Sequence, residues 1–138
     1  MVVQLEIKME LSIAALKLAK KHGLLTILNP APAPTNSDTN QPSLPKELLD
    51  NTDIIIPNEI EALSLCHFNP ESDILFPTNK TQNNEENNSS QDSAIALHTI
   101  HSTLHSLSST LACVLLTLGS HGASYTFSSG LFLIFLIS

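Results

Sequence analysis

The sequence predicts an α/β fold in which a layered parallel sheet is flanked by helices. Three observations lead there. Short runs that are apolar on both faces recur along the chain, as strands of a buried parallel sheet require. Segments with helical spacing separate them, giving the order β-α-β-(α)-β-α-β. The second, third and fourth of these runs also end at an asparagine, a proline or a glycine turn.

Val2 to Leu5 is the first such run, and Met9 to His22 follows with apolar residues at Leu11, Ala14, Ala15, Leu18 and Ala19, an amphipathic helix. Lys17, Lys20 and Lys21 complement the helix dipole at its end, and Gly23 suits the left-handed position that closes it. Leu24 to Leu28 is a second strand. It stops at Asn29-Pro30-Ala31-Pro32-Ala33-Pro34, whose prolines lack the donors of a central ladder. A polar insertion at about 34–43 precedes one or two helical turns at Leu44 to Leu49, then a third strand, Asp53 to Ile56, ended by Pro57. Asn58 caps a predicted helix to about His67, with Glu59 and Glu61 in its first turn. The stretch 77–92 has no aliphatic or aromatic residue and reads as a second, disordered polar insertion. Ser93 to Leu107 resumes helical spacing with Leu97, Ile100, Leu104 and Leu107 on one stripe, and Ala112 to Leu116 is a fourth strand.

Composition narrows the function classes. At 138 residues one domain is expected. All six basic residues are lysines and the net charge is −7, which argues against a nucleic-acid partner. The longest apolar run, Leu131 to Ile137, is far short of the roughly 20 residues that span a bilayer, and no basic segment precedes the apolar start. A soluble, cytoplasmic protein without a membrane partner is the expectation. Cys66 and Cys113 are far apart and read as buried reduced thiols. The sequons at Asn79, Asn87 and Asn88 fall in the Asn-rich tract and read as chance triplets.

In open α/β sheets ligands bind beyond the carboxyl ends of the strands, so the residues there are the candidates. Glu6 follows the first strand, Asn29 the second, Asn58 with Glu61 the third, and Thr117-Leu118-Gly119-Ser120-His121-Gly122 the fourth. A carboxylate accepts from sugar hydroxyls, an Asn and a Glu three apart at a helix start suit a hydrated Mg²⁺ beside phosphates, and a glycine turn lets backbone donors approach a nucleotide. Taken singly, each has a plainer reading: an exposed strand-end carboxylate, a helix cap, a hairpin turn.

Together, QLEI, LLTILNPAPAP, LPKELLDNTDIIIPNEIEA and LLTLGSHGASY resemble, in order and context, the middle of ribokinases, of the PfkB carbohydrate kinase family. The resemblance runs from Val2 to about Tyr125 apart from the two polar insertions. It implies a partial ribokinase-like domain over 1–138 with a divergent end at 126–138. By the same resemblance Glu6 corresponds to the family's sugar-contacting glutamate, Asn58 to the asparagine near the nucleotide phosphates, and Glu61 to the NxxE glutamate associated with Mg²⁺. Thr117, Leu118, Gly119, Ser120, His121 and Gly122 correspond to the nucleotide-binding turn. It implies ATP as co-substrate, Mg²⁺ as cofactor and ribose as the sugar.

The departures from the family bear on activity. Members carry further strands and a Gly-Gly lid element ahead of this region, and a GAGD-type element after it whose aspartate deprotonates the sugar hydroxyl. No aspartate follows Asp92 here, so no catalytic residue is assigned. The expectation is an inactive, truncated copy without the family's monovalent cation site and without dimerisation through the lid; a non-catalytic nucleotide-binding or interaction module is the alternative. Lys8, Ile60 and His121 replace residues more usual in the family. The apolar end, GLFLIFLIS, does not resemble the family's next segment and favours intermolecular β pairing.

His98, His101 and His105 fall on one stripe of the predicted helix, about 100° from its leucine face. That position predicts a solvated flank rather than a metal site.

Overall fold

The computed structural model of the chain describes residues 1–32, 44–68, 86–130 and 132–135. Among them are six strands: β1 (Val2–Gln4), β2 (Ile27–Asn29), β3 (Ile54–Ile55), β4 (Cys113–Thr117), β5 (Ala123–Phe127) and β6 (Phe132–Phe135). Four helices accompany them: α1 (Met9–Lys21), α2 (Lys46–Leu49), α3 (Glu59–Leu65) and α4 (Glu86–Ser106). The strands form one sheet in sequence order. β1 to β4 are parallel, whereas β5 and β6 join antiparallel.

The α/β class and the four predicted strands stand, and the parallel sheet gains an antiparallel extension. Residues 119–121 form a single 3-10 turn that sends the chain straight back as β5. The backbone of Phe132–Phe135, expected to seek pairing outside the chain, pairs with β5. The helix expected from Ser93 starts at Glu86, within the stretch read as the second polar insertion. Once its later turns are packed, each added residue extends an existing helix without a new nucleation cost. Residues 77–85, including Asn79, and the insertion at 34–43 lie outside the described residues.

Strands adjacent in both sequence and space, joined by right-handed crossovers, place their helices on one face. Val3, Leu28, Ile55, Val114 and Leu116 turn to that face and are buried with Leu16, Leu48, Ala62, Leu97, Ile100 and Leu104 in a single cluster. Alternate residues Ile27, Ile54, Leu115 and Tyr125 lie on the other face and are only half-buried. Thirteen helical residues of α1 end as the glycine predicts: Gly23 sits at φ 68°, with its N–H on Lys20 O and the Leu24 N–H on Ala19 O.

The amino ends of β2 and β3 are locked by Asp53. Its carboxylate accepts from the Thr26 N–H and hydroxyl, both at 2.8 Å, and pairs with Lys20. Burial pushes the Asp53 pKa up, but Lys20 and Thr26 outweigh it and hold the group below the ordinary carboxylate value. No helix among the described residues is long and apolar enough to cross a membrane.

Candidate functional site

The carboxyl ends of β1 to β4 share one edge of the sheet, and the predicted residues lie along it. Asn58 caps α3, its side-chain carbonyl accepting from the Glu61 N–H at 2.8 Å while the Glu61 carboxylate accepts from the Asn58 N–H at 2.8 Å. Both halves of a capping box are present, so the plainer reading of this pair holds in the structure, whatever further role the pair has. Glu61 is 6 % exposed, whereas Asn58 is open to solvent.

Asn58 also forms a parallel bridge to Thr117, and the Thr117 N–H donates to Pro57 O at 3.0 Å. The helix start after β3 and the turn after β4 therefore abut. Within that turn Leu118 N–H donates to Gly122 O at 2.9 Å, Gly119 adopts φ 56° and Gly122 φ 99°, and Leu118 is buried while Thr117, Gly119 and Ser120 are exposed. His121 is half-buried. A Cβ on Gly119 would meet no atom within 4 Å, so it is the positive φ and not crowding that calls for glycine.

Glu6 is exposed in the turn after β1, and the neighbouring Leu5 N–H donates to Ala31 O at 2.8 Å. With β2 lying between, Glu6 is on the same edge but about 10 Å from the β3 end, two strand spacings away. Asn29, at the end of β2, has a buried side-chain oxygen with no hydrogen-bond partner among the described residues.

The histidine stripe corrects the expectation of a solvated flank. His98 is exposed, but His101 is 1 % exposed and His105 half-buried. His101 Nε2 lies 2.8 Å from Ser124 Oγ and its Nδ1 3.0 Å from Thr126 Oγ1; His105 Nε2 lies 2.9 Å from the same Thr126 oxygen and 3.3 Å from Thr126 O. A carbonyl only accepts, so His105 Nε2 carries a proton. The Thr126 hydroxyl then donates to His101 Nδ1, and His101 Nε2–H to Ser124. Burial, then the neighbouring His105 and His98, pushes the His101 pKa down to about 4. The helix flank is covered because β5, which the strand pattern did not reveal, turns Ser124 and Thr126 toward it. Two hydroxyl residues alternating in Ala123-Ser124-Tyr125-Thr126-Phe127 are the sequence trace of that pairing.

A cleft of about 350 Å³ lies beside the same histidines, lined by His105, Ser108, Thr126 and Gly130, at the amino end of β4 and away from the predicted edge. Among the described residues no three His, Cys, Asp or Glu are grouped to hold a metal. Both thiols are buried, and burial pushes Cys66 up to about 12 and Cys113 in the same direction, so neither is a ready nucleophile.

No family model matches the chain. It is 53 % identical over 64 residues to a bifunctional ribokinase/ribose-5-phosphate isomerase A of Fructilactobacillus sanfranciscensis, a match covering 46 % of this chain and 10 % of that protein. A ribokinase of Staphylococcus aureus is 49 % identical over 61 residues, 44 % of this chain and 17 % of that one. Among solved structures, the Arabidopsis thaliana ribokinase complexed with ribose and ATP superimposes with a TM-score of 0.60 at 25 % identity, covering 99 % of this chain and 34 % of the other. The chain thus spans about a third or less of each of these relatives. These likenesses make the chain similar to part of the ribokinases, which are among the PfkB carbohydrate kinases, over a segment of their length.

Proposed function

We propose that this chain forms the nucleotide-facing part of an ATP-dependent sugar kinase of the reaction class ATP + D-ribose → ADP + D-ribose 5-phosphate, acting in the cytoplasm. The observation that carries the reading is the bridge between Asn58 and Thr117, which sets a helix N-terminus beside a glycine turn at one sheet edge. In this reading the backbone from Thr117 to Gly122 lines the nucleotide, Asn58 faces its phosphates, and Glu6 accepts from sugar hydroxyls.

Glu61 fits Mg²⁺ in its usual mode of binding, which keeps several waters and takes one or two carboxylates rather than a protein cage. The Asn58 N–H engages one of its oxygens, and a carboxylate has further acceptor sites for metal-bound water. When bound, the ion would offset phosphate charge.

The residues that follow the nucleotide turn hold no aspartate or glutamate, so none of them supplies a carboxylate base for the sugar hydroxyl. We therefore expect the 138-residue polypeptide by itself to bind nucleotide without turnover. A second reading is a non-catalytic nucleotide-binding module, which the solvent-open Asn58 beside the glycine turn would equally serve. Titration calorimetry with Mg²⁺ and ADP tests both, since no heat up to millimolar nucleotide defeats either. Nucleotide affinity raised by ribose favours the kinase part, and affinity indifferent to ribose the module. Ribose phosphorylation by the purified chain would overturn the expected inactivity.

A further inference from the structure

We infer that His101, on α4, is a positioning residue for the Thr117–Gly122 turn, holding its returning leg through Ser124. The inference rests on the reading that this turn receives the nucleotide. Its geometry is independent of that reading. Ser124 lies two residues beyond Gly122 and is the first residue after the turn to face the helices, where its hydroxyl meets His101 Nε2 at 2.8 Å. The outgoing leg is held separately, through Thr117 N–H on Pro57 O and the burial of Leu118. The β4–β5 ladder joins the legs as far as Thr117 and Ala123; beyond it the Leu118 N–H bond to Gly122 O closes the loop, with His121 N–H on Leu118 O and Gly122 N–H on Gly119 O inside it. Gly119 and Gly122 have no side chains to brace it, so the turn's shape depends on where its two legs are fixed.

His101 is suited to fix one of them. It is fully buried, both its ring nitrogens are engaged, and its tautomer is set by a one-way chain from His105 through Thr126. A histidine locked at both nitrogens cannot rotate without leaving a buried hydroxyl unsatisfied.

The two ring contacts can be separated by substitution. Glutamine places its amide near the position of Nε2, asparagine near that of Nδ1. His101→Gln keeps the link to Ser124, whereas His101→Asn keeps only the link to Thr126. The amide exchange of Leu118 and Gly122 is measured for each, relative to the core amide of Ile56, which donates to Leu28 O. The expected result is exchange at Leu118 and Gly122 raised about tenfold over the Ile56 change in His101→Asn and unchanged in His101→Gln. MgADP affinity should be weakened several-fold in the former alone. Ser124→Ala, which leaves the helix untouched, should repeat the His101→Asn result and serves where that variant does not fold. If the turn amides follow Ile56 equally in every variant, the inference is overturned, whether or not nucleotide binds. If the turn loosens as expected but the wild-type chain shows no MgADP binding, the positioning role stands and the nucleotide reading of the turn fails.

Discussion

Two polar clusters flank the β4–β5 hairpin, and they are built on opposite principles. The Asn58–Glu61 cluster is local: two residues three apart satisfy each other's backbone N–H groups at a helix start, and Asn58 stays open to solvent. The Ser124–His101–Thr126–His105 cluster is long-range, joins elements more than 20 residues apart, and its central imidazole is buried. A local, self-satisfied pair with one member open to solvent can be rearranged by a ligand at smaller cost than a buried chain of hydrogen bonds. The first has the properties of a binding edge and the second those of a brace behind it.

The largest expected effect tests the brace. His101→Ala opens a cavity and strips partners from two buried hydroxyls, so a loss of about 3 kcal/mol is expected by denaturant unfolding. A loss below about 1 kcal/mol would show that the cluster is not a brace.

Acid should separate the clusters next. The neutral form of His101 is favoured in the fold, so the unfolded chain binds a proton near the ordinary value of 6.5 while the folded chain does so only near 4. The stabilisation is complete above pH 6.5 and lost as pH falls from 6.5 to 4, by about 3 kcal/mol over that window. Asp53, held below its ordinary value, contributes stability that is lost only at lower pH. Melts of wild type and His101→Gln from pH 7 to 4 should differ in slope, and parallel curves would contradict the assignment.

The cap is worth less. Asn58→Ala should cost about 1 kcal/mol, and Glu61→Gln only a few tenths, since glutamine also completes a capping box. A cost from Asn58→Ala matching that of His101→Ala would erase the distinction between edge and brace.

Legibility in the sequence follows the same division. Much that depended on neighbours in the chain could be read: the α1 end at Gly23, the Asn58 cap, the strand stops at Asn29 and Pro57, and the turn from Thr117 to Gly122; the buried face of α1 could not, since Leu11 and Leu18 of the expected stripe are exposed and Ser12, Leu16 and Ala19 are buried. What could not be read depended on residues far apart. β5 reads as a mixed polar and apolar run because its helix-facing residues, Ser124 and Thr126, are hydroxyls that bond the α4 histidines, and so His101 fell on a flank that nothing in α4 itself showed to be covered. The early start of α4 was hidden because Asn and Ser have weak intrinsic helix preference, while packing decided the helix downstream. The edge itself was legible through single residues after each strand, but not the adjacency of Asn58 and Thr117, which comes from the register of β3 and β4.

The central claim is that the Asn58–Thr117 edge receives a nucleotide. Amide chemical shifts of the labelled chain, followed during titration with MgADP, test it most directly. The account predicts saturable changes at Asn58 to Glu61 and at Leu118 to Gly122, with the amides at the C-terminal end of α4 unmoved. Changes confined to the cleft beside His105, or none at millimolar nucleotide, would contradict it.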